Sequence, residues 1–220
     1  MLESYKVVLL GESDVGKLDI INTLVNEYFN PDWSLGLSSQ FIKKRINLKD
    51  DKAVNFDIWE NPGQEKYRSL GKIFYKDAKV IIFVYDITNK KSFDEIKNYW
   101  YEDVKKINSD AILAVVWNKC DLYDKQQVSN NEGEEFAKSI NAFFALTTNK
   151  SDTGVKKLFE HIAKKILDPE YDYIKAKENE KEEYFKKRNK EKNVNKDKSE
   201  NKNELELNLK EKDKGKCIIC

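Results

Sequence analysis

Two hydrophobic patterns alternate along this chain. Residues 7–10, 80–84 and 112–116 are apolar runs without a polar break. Such runs are typical of strands covered on both faces. Between and after them lie stretches with helical spacing. These are residues 17–27, a segment after Ser92 with apolar Phe93, Ile96, Trp100 and Val104, and residues 129–140 and 152–167. Ser92 is expected to cap the second of these, and Ser129 with Glu132 has capping-box spacing. Asp168-Pro169 stops the last. Residues 41–48 and 53–59 alternate apolar and polar side chains around Lys49-Asp50-Asp51-Lys52, predicting an antiparallel hairpin. Residues 5–10, 79–86 and 143–146 complete the strands, and residues 28–40, with Pro31 and Gly36, are expected to be irregular. The alternation predicts an α/β fold, a mostly parallel sheet with helices on both faces. Ligands in such sheets bind beyond the C-terminal ends of the strands.

Composition narrows the class. The 220 residues carry 40 basic and 39 acidic side chains, so net charge gives no case for nucleic-acid binding. Three cysteines, two of them at the extreme end, make no disulfide framework and suggest a reducing, cytosolic setting. The first strand starts at once, so no signal peptide is expected. No apolar run approaches a membrane span. After Pro169 the chain becomes rich in Lys, Glu, Asn and Asp. That composition predicts a domain over residues 1–168 and a charged, largely disordered tail over 169–220. Part of 170–192 has the charge spacing for a helix with i,i+4 pairs.

The chemistry lies at the strand ends. Gly11-Glu12-Ser13-Asp14-Val15-Gly16-Lys17 follows the first strand and precedes a helix opened by Leu18 and Asp19. This is the arrangement of a phosphate-binding P-loop, the alternative being an ordinary glycine turn. Two glycines let the backbone wrap closely, successive N–H groups and the helix N-terminus supply positive potential, and Lys17 adds a full charge. Asn118-Lys119-Cys120-Asp121 follows the strand at 112–116. A carboxylate there can accept from both the N1–H and the exocyclic amine of guanine, so Asp121 selects that base. Asn118 would tie the loop to the P-loop, the Lys119 stem would cover the base, and Cys120 is expected as a small buried filler. In Trp59-Glu60-Asn61-Pro62-Gly63-Gln64-Glu65, Gly63 can present its N–H to a γ-phosphate and Gln64 can orient a water. The plainer reading is a Pro-Gly turn at a strand end.

Taken together, residues 5–168 resemble a Ras-superfamily small GTPase, and within it the Rab family. The likeness rests on the P-loop, on Ile58-Trp59 before Gly63-Gln64-Glu65, and on Lys66-Tyr67-Arg68-Ser69-Leu70. It continues through Phe74-Tyr75-Lys76-Asp77-Ala78, Val84-Tyr85-Asp86-Ile87-Thr88 and Asn118-Lys119-Cys120-Asp121. The resemblance implies a P-loop small G-domain whose six-stranded sheet has one antiparallel edge strand. It implies binding of GTP and GDP with Mg²⁺, two switch segments, and a role in vesicle traffic. Effector, exchange and GTPase-activating proteins are the implied partners. Phe29 would lie edge-on to the guanine, Phe41, Trp59 and Phe74 would form an effector-reading triad, and Thr148-Asn149-Lys150 would contact the base.

Three departures from the family's pattern fall on one ion. Leu18 replaces the P-loop hydroxyl that ligates Mg²⁺, and Glu60 replaces an Asp that holds it through water. Gly36 stands where a Thr should close over it, with Ser34 as a weaker substitute. Leucine offers no oxygen to a cation that demands octahedral oxygen donors. Pro62 removes an N–H before Gly63, Asp14 sets a carboxylate beside the phosphates, and Trp117 replaces a Gly and is expected to crowd the base loop. Two readings follow: a slow guanine-nucleotide switch, or a degenerate scaffold that recruits partners without a hydrolytic cycle. An adenine kinase is disfavoured by Asp121. The ending Cys217-Ile218-Ile219-Cys220 has the form of a prenylation motif, which would hold the protein on the cytosolic face of membranes. A CxxC metal or redox site is the competing reading. His161 is expected on the surface of the last helix.

Overall fold

The structure, a computed structural model, describes residues 3–26, 41–61, 63, 68–148, 151, 153–183, 186 and 188. Six strands form one sheet in the order β2-β3-β1-β4-β5-β6. They are β1 (Ser4–Leu10), β2 (Phe41–Asn47), β3 (Ala53–Glu60), β4 (Val80–Asp86), β5 (Ile112–Asn118) and β6 (Phe143–Leu146). Only β2 with β3 is antiparallel, in register from Phe41 opposite Trp59 to Asn47 opposite Ala53. The expected sheet, with one antiparallel edge strand, is the one observed. Every residue of β4 is buried, as are Val7 to Leu10 of β1. This is why those stretches show no polar alternation: both of their faces are covered. Each such Val, Ile or Leu contributes roughly 1.5–3 kcal/mol by leaving water. Edge strand β2 keeps its alternation and exposes most of its side chains.

Helices α1 (Lys17–Asn26), α2 (Arg68–Tyr75), α5 (Asn130–Ser139) and α6 (Thr153–Leu167) connect the strands. Between β4 and β5 lies a compound helix: α3 (Lys90–Glu95), a π turn (Ile96–Trp100) and α4 (Tyr101–Ile107). The π turn is closed by the Tyr101 N–H donating to the Ile96 carbonyl. Phe93, Ile96, Trp100 and Val104 are all buried, as their spacing predicted. Helix α2 is tied to α4 through the Tyr75 hydroxyl, which donates to Asp103, and through Lys72, 3.1 Å from the same carboxylate. Ser129 caps α5 as expected, accepting from the Glu132 N–H at 3.2 Å.

Three expectations are corrected. The cap of α3 is Asn89, whose side chain accepts from the Ser92 N–H at 3.3 Å. Ser92 is fully buried one turn inside, where its hydroxyl accepts from the Asp86 N–H at 3.1 Å. His161 is not a surface residue: it is 5% exposed. Its Nδ1 lies 2.6 Å from the Tyr171 hydroxyl, because the chain after α6 folds back along it. Trp117 does not crowd the loop after β5. Its ring joins the core, and its indole donates to the Val128 carbonyl at 3.2 Å.

The chain divides into two compact units, residues 1–171 and 172–220. Within the second, residues 173–183 are helical. Asp172 caps them, accepting from the Lys175 N–H at 3.1 Å, and Lys186 lies 3.3 Å from Glu182 in an i,i+4 pair.

One core position inverts a general rule. Gly133 lies inside α5, where alanine would ordinarily stabilise by about 0.5–1 kcal/mol. A Cβ there would stand 2.1 Å from the Tyr85 hydroxyl, which is buried and has no hydrogen-bond partner among the described residues. Gly133→Ala should therefore destabilise by about 1–3 kcal/mol. Tyr85→Phe alone should be neutral or raise stability by about 1 kcal/mol, since it removes an unsatisfied group. Thermal denaturation of the double variant should recover most of the loss. A double variant as unstable as Gly133→Ala would show that the hydroxyl is not the obstacle.

Candidate functional site

The C-terminal ends of β1, β3, β4, β5 and β6 converge, and the loops beyond them meet there. Gly16 has φ +90°, and a Cβ on it would lie 2.3 Å from the Asn118 side-chain nitrogen. Only glycine permits both that backbone and that approach. Asp14 also adopts positive φ, at 62°, with its side chain exposed. Helix α1 begins at Lys17, whose side chain folds back over the loop. Its ammonium donates to the Gly11 carbonyl at 3.1 Å and the Glu12 carbonyl at 2.7 Å. It also lies 3.6 Å from the Glu60 carboxylate at the end of β3. Lys17 is only 4% exposed and Glu60 9%.

Burial lowers the Lys17 pKa, with Glu60 opposing, and burial raises the Glu60 pKa, with Lys17 opposing. At both ends of the pair, desolvation outweighs attraction. Asp19 sits in the first turn of α1, where the helix dipole favours its charge. Burial still raises its pKa, with the Lys119 charge opposing. Leu18, next to Lys17, presents no oxygen.

The loop after β5 is clamped from two sides. The Asn118 amide donates to the Val15 carbonyl at 2.8 Å, and its oxygen accepts from the Thr147 hydroxyl at 2.8 Å. Lys119 has φ +62°, and its ammonium donates to the Asp14 carbonyl at 2.8 Å and reaches Asp86 at 2.6 Å. Asp86 is itself held by the Thr88 N–H and hydroxyl at 2.8 and 2.7 Å. The Asp121 carboxylate accepts from the Thr148 hydroxyl at 2.7 Å. The structure thus ties Asn118 and Lys119 to the P-loop and ties Asp121 to Thr148. Cys120 is partly buried against the core, and burial raises its thiol pKa, which suits a filler rather than a nucleophile.

Gly63 lies against the P-loop. A Cβ on it would meet the Gly11 carbonyl oxygen at 2.3 Å and the Ser13 nitrogen at 2.5 Å. Phe41 and Trp59 have ring centroids 4.7 Å apart, and Trp59 and Phe74 6.2 Å, so the expected triad is contiguous. Phe29, Ser34, Gly36, Pro62, Gln64, Asn149, Lys150, Cys217 and Cys220 lie outside the described residues. Sequence reasoning gave no role to Asp86 or Thr147, which hold Lys119 and Asn118. Their signal was a polar residue at or just past the C-terminal end of a strand.

A sheet of this order, with these loops at its C-terminal edge, defines a small GTP-binding protein. The chain belongs to the Ras family, whose pattern it matches over residues 6–168. Within that family it is a Rab-like small GTPase. It is 36% identical over 176 residues to the Ras-related protein Rab-21 of Bos taurus, covering 80% of this chain and 79% of the relative. The Rab-21 proteins of Homo sapiens and Mus musculus are also 36% identical, again over 80% of this chain and over 78% and 79% of theirs.

Proposed function

We propose that this protein is a guanine-nucleotide-binding switch of membrane traffic that hydrolyses GTP slowly. The observation that carries the reading is the built base loop: Asn118 bonded to both Val15 and Thr147, and Asp121 held by Thr148. These groups fit a guanine nucleotide. Asp121 would accept from the base edge, the Lys119 stem would cover the ring, and residues 11–19 would receive the phosphates on backbone N–H groups and Lys17. Gly63 would present its N–H to a terminal phosphate, and Gln64 would orient water. A bound nucleotide supplies the phosphoanhydride bond to be broken.

The donor set does not fit Mg²⁺ in the family's manner. Leu18 has no ligand atom, and the Glu60 carboxylate already faces Lys17 at 3.6 Å. Among the described residues no group of three or more His, Cys, Asp or Glu side chains could hold a metal. Without neutralised charge on the phosphates, an oriented water contributes little. The same observation favours a second reading, in which the protein recruits partners through Phe41, Trp59 and Phe74 without a hydrolytic cycle. No helix among the described residues is long and apolar enough to cross a membrane. Attachment would fall to residues 169–220 through Cys217 or Cys220, from which the protein would act on the cytosolic face of membranes.

Base choice tests the reading directly. GDP should displace bound GTP analogues while ATP does not, and Asp121→Asn should lose GDP and GTP together. ATP competing as well as GDP against the unmodified protein would sink it.

For the metal, chelator should alter the GDP release rate only slightly, and Leu18→Ser should introduce a partial Mg²⁺ dependence. A large Mg²⁺ effect in the parent, unchanged by the substitution, would mean that another residue supplies the ligand.

For the tail, replacing Cys217 and Cys220 together with Ser should leave the protein in the soluble fraction of cells. If the double variant sediments with membranes as the parent does, the anchor lies elsewhere.

A further inference from the structure

Three parts of the site converge on Glu12. Its carbonyl accepts from Lys17 at 2.7 Å. Its carbonyl carbon is 2.3 Å from where a Cβ on Gly63 would stand. Its carboxylate accepts from the Trp100 indole Nε1 at 3.4 Å. Trp100 is fully buried and is the last residue of the π turn. Such turns insert one residue into a helix and re-aim the side chains beyond it, and they recur at functional sites. Here the wide turn keeps Ile96, Trp100 and Val104 in the core while the indole nitrogen reaches the P-loop.

A carboxylate is a liability in a loop that must receive phosphates. This loop already carries Asp14, and Asp19 lies just beyond it on α1. Repulsion between like charges falls with distance and with screening. A donor that draws the Glu12 carboxylate toward the core therefore favours phosphate binding. An indole N–H is well suited to this, because it donates, cannot accept, and carries no charge of its own. Trp100 is fully buried, which fixes the ring and with it the position of the donor.

We propose that Trp100 is a positioning residue for phosphate binding, holding the Glu12 carboxylate away from the anion-receiving face of the P-loop. The proposal rests on the nucleotide-binding reading above. Its effect is electrostatic, so it must grow with ligand charge and must vanish when Glu12 is neutral.

The experiment measures GMP, GDP and GTP affinities in four proteins: the parent, Trp100→Phe, Glu12→Gln, and both together. Trp100→Phe should weaken GTP by about tenfold, as expected when the released carboxylate can approach the phosphates. GDP should lose less, and GMP least. In the Glu12→Gln background the same change should alter GTP affinity by no more than about twofold. Equal losses for all three nucleotides, or a loss persisting with Glu12→Gln, would mean that Trp100 only fills the core. That outcome overturns this proposal and leaves the nucleotide-binding reading intact, whereas a parent that binds no guanine nucleotide overturns that reading itself. Should Trp100→Phe fail to fold, the Trp100 indole ¹H–¹⁵N resonance in Glu12→Gln supplies the test. A shifted signal supports the contact, and an unmoved one overturns it.

Discussion

The side chain of Asn118 is the constraint on which the rest of the site depends. One buried amide spans three strand ends: it belongs to β5, donates to the P-loop after β1 at 2.8 Å, and accepts from Thr147 after β6 at 2.8 Å. It is nearly fully buried, so a lost partner would leave a polar atom unsatisfied, at a cost of about 1–3 kcal/mol. The glycine at position 16 is required by the same amide, since a Cβ there would fall 2.3 Å from its nitrogen. Lys119, one residue on, takes a left-handed backbone and reaches back to Asp14. The loops after β1 and β5 are therefore one hydrogen-bonded object, and order in either depends on order in the other.

The charges are arranged less favourably than the hydrogen bonds. Lys17 and Glu60 face one another, yet burial shifts each toward its neutral form. Lys17 offsets part of that cost with two backbone carbonyls from its own loop. Glu60 gains no comparable set of donors among the described residues, and Leu18 adds nothing polar. The loop after β5 is thus densely hydrogen-bonded, whereas the buried pair of Lys17 and Glu60 is poorly compensated.

Much of this was legible in the sequence, because the relevant signals are local. The buried runs in β1, β4 and β5 and the alternation in β2 and β3 gave the sheet and its antiparallel edge. The site loops are contiguous segments with fixed spacing, so their residues could be named before their positions were known. What escaped was tertiary. His161 lies beside the apolar positions Leu158, Phe159 and Ile162 of α6, and the return of Tyr171 gives its buried ring a polar partner. The spacing of Phe93, Ile96, Trp100 and Val104 suits an unbroken α-helix as well as one with a wide turn, so the reach of Trp100 to Glu12 left no trace in the pattern. In the sequence Trp117 stands out only by its place before a loop motif, whereas its ring is accommodated by the core beneath that loop.

The two open margins of the sheet carry different safeguards. At one margin β6 is only four residues long, Phe143–Leu146, too short to template much cross-pairing. At the other, β2 carries Lys43, Lys44 and Arg45 in succession, and Lys43 faces a carboxylate across the hairpin, Asp57 at 4.0 Å. A second copy adding itself to this margin would set like cations against one another across the ~4.8 Å spacing of paired strands. The margin therefore resists fibrillar stacking of identical chains through electrostatic incompatibility.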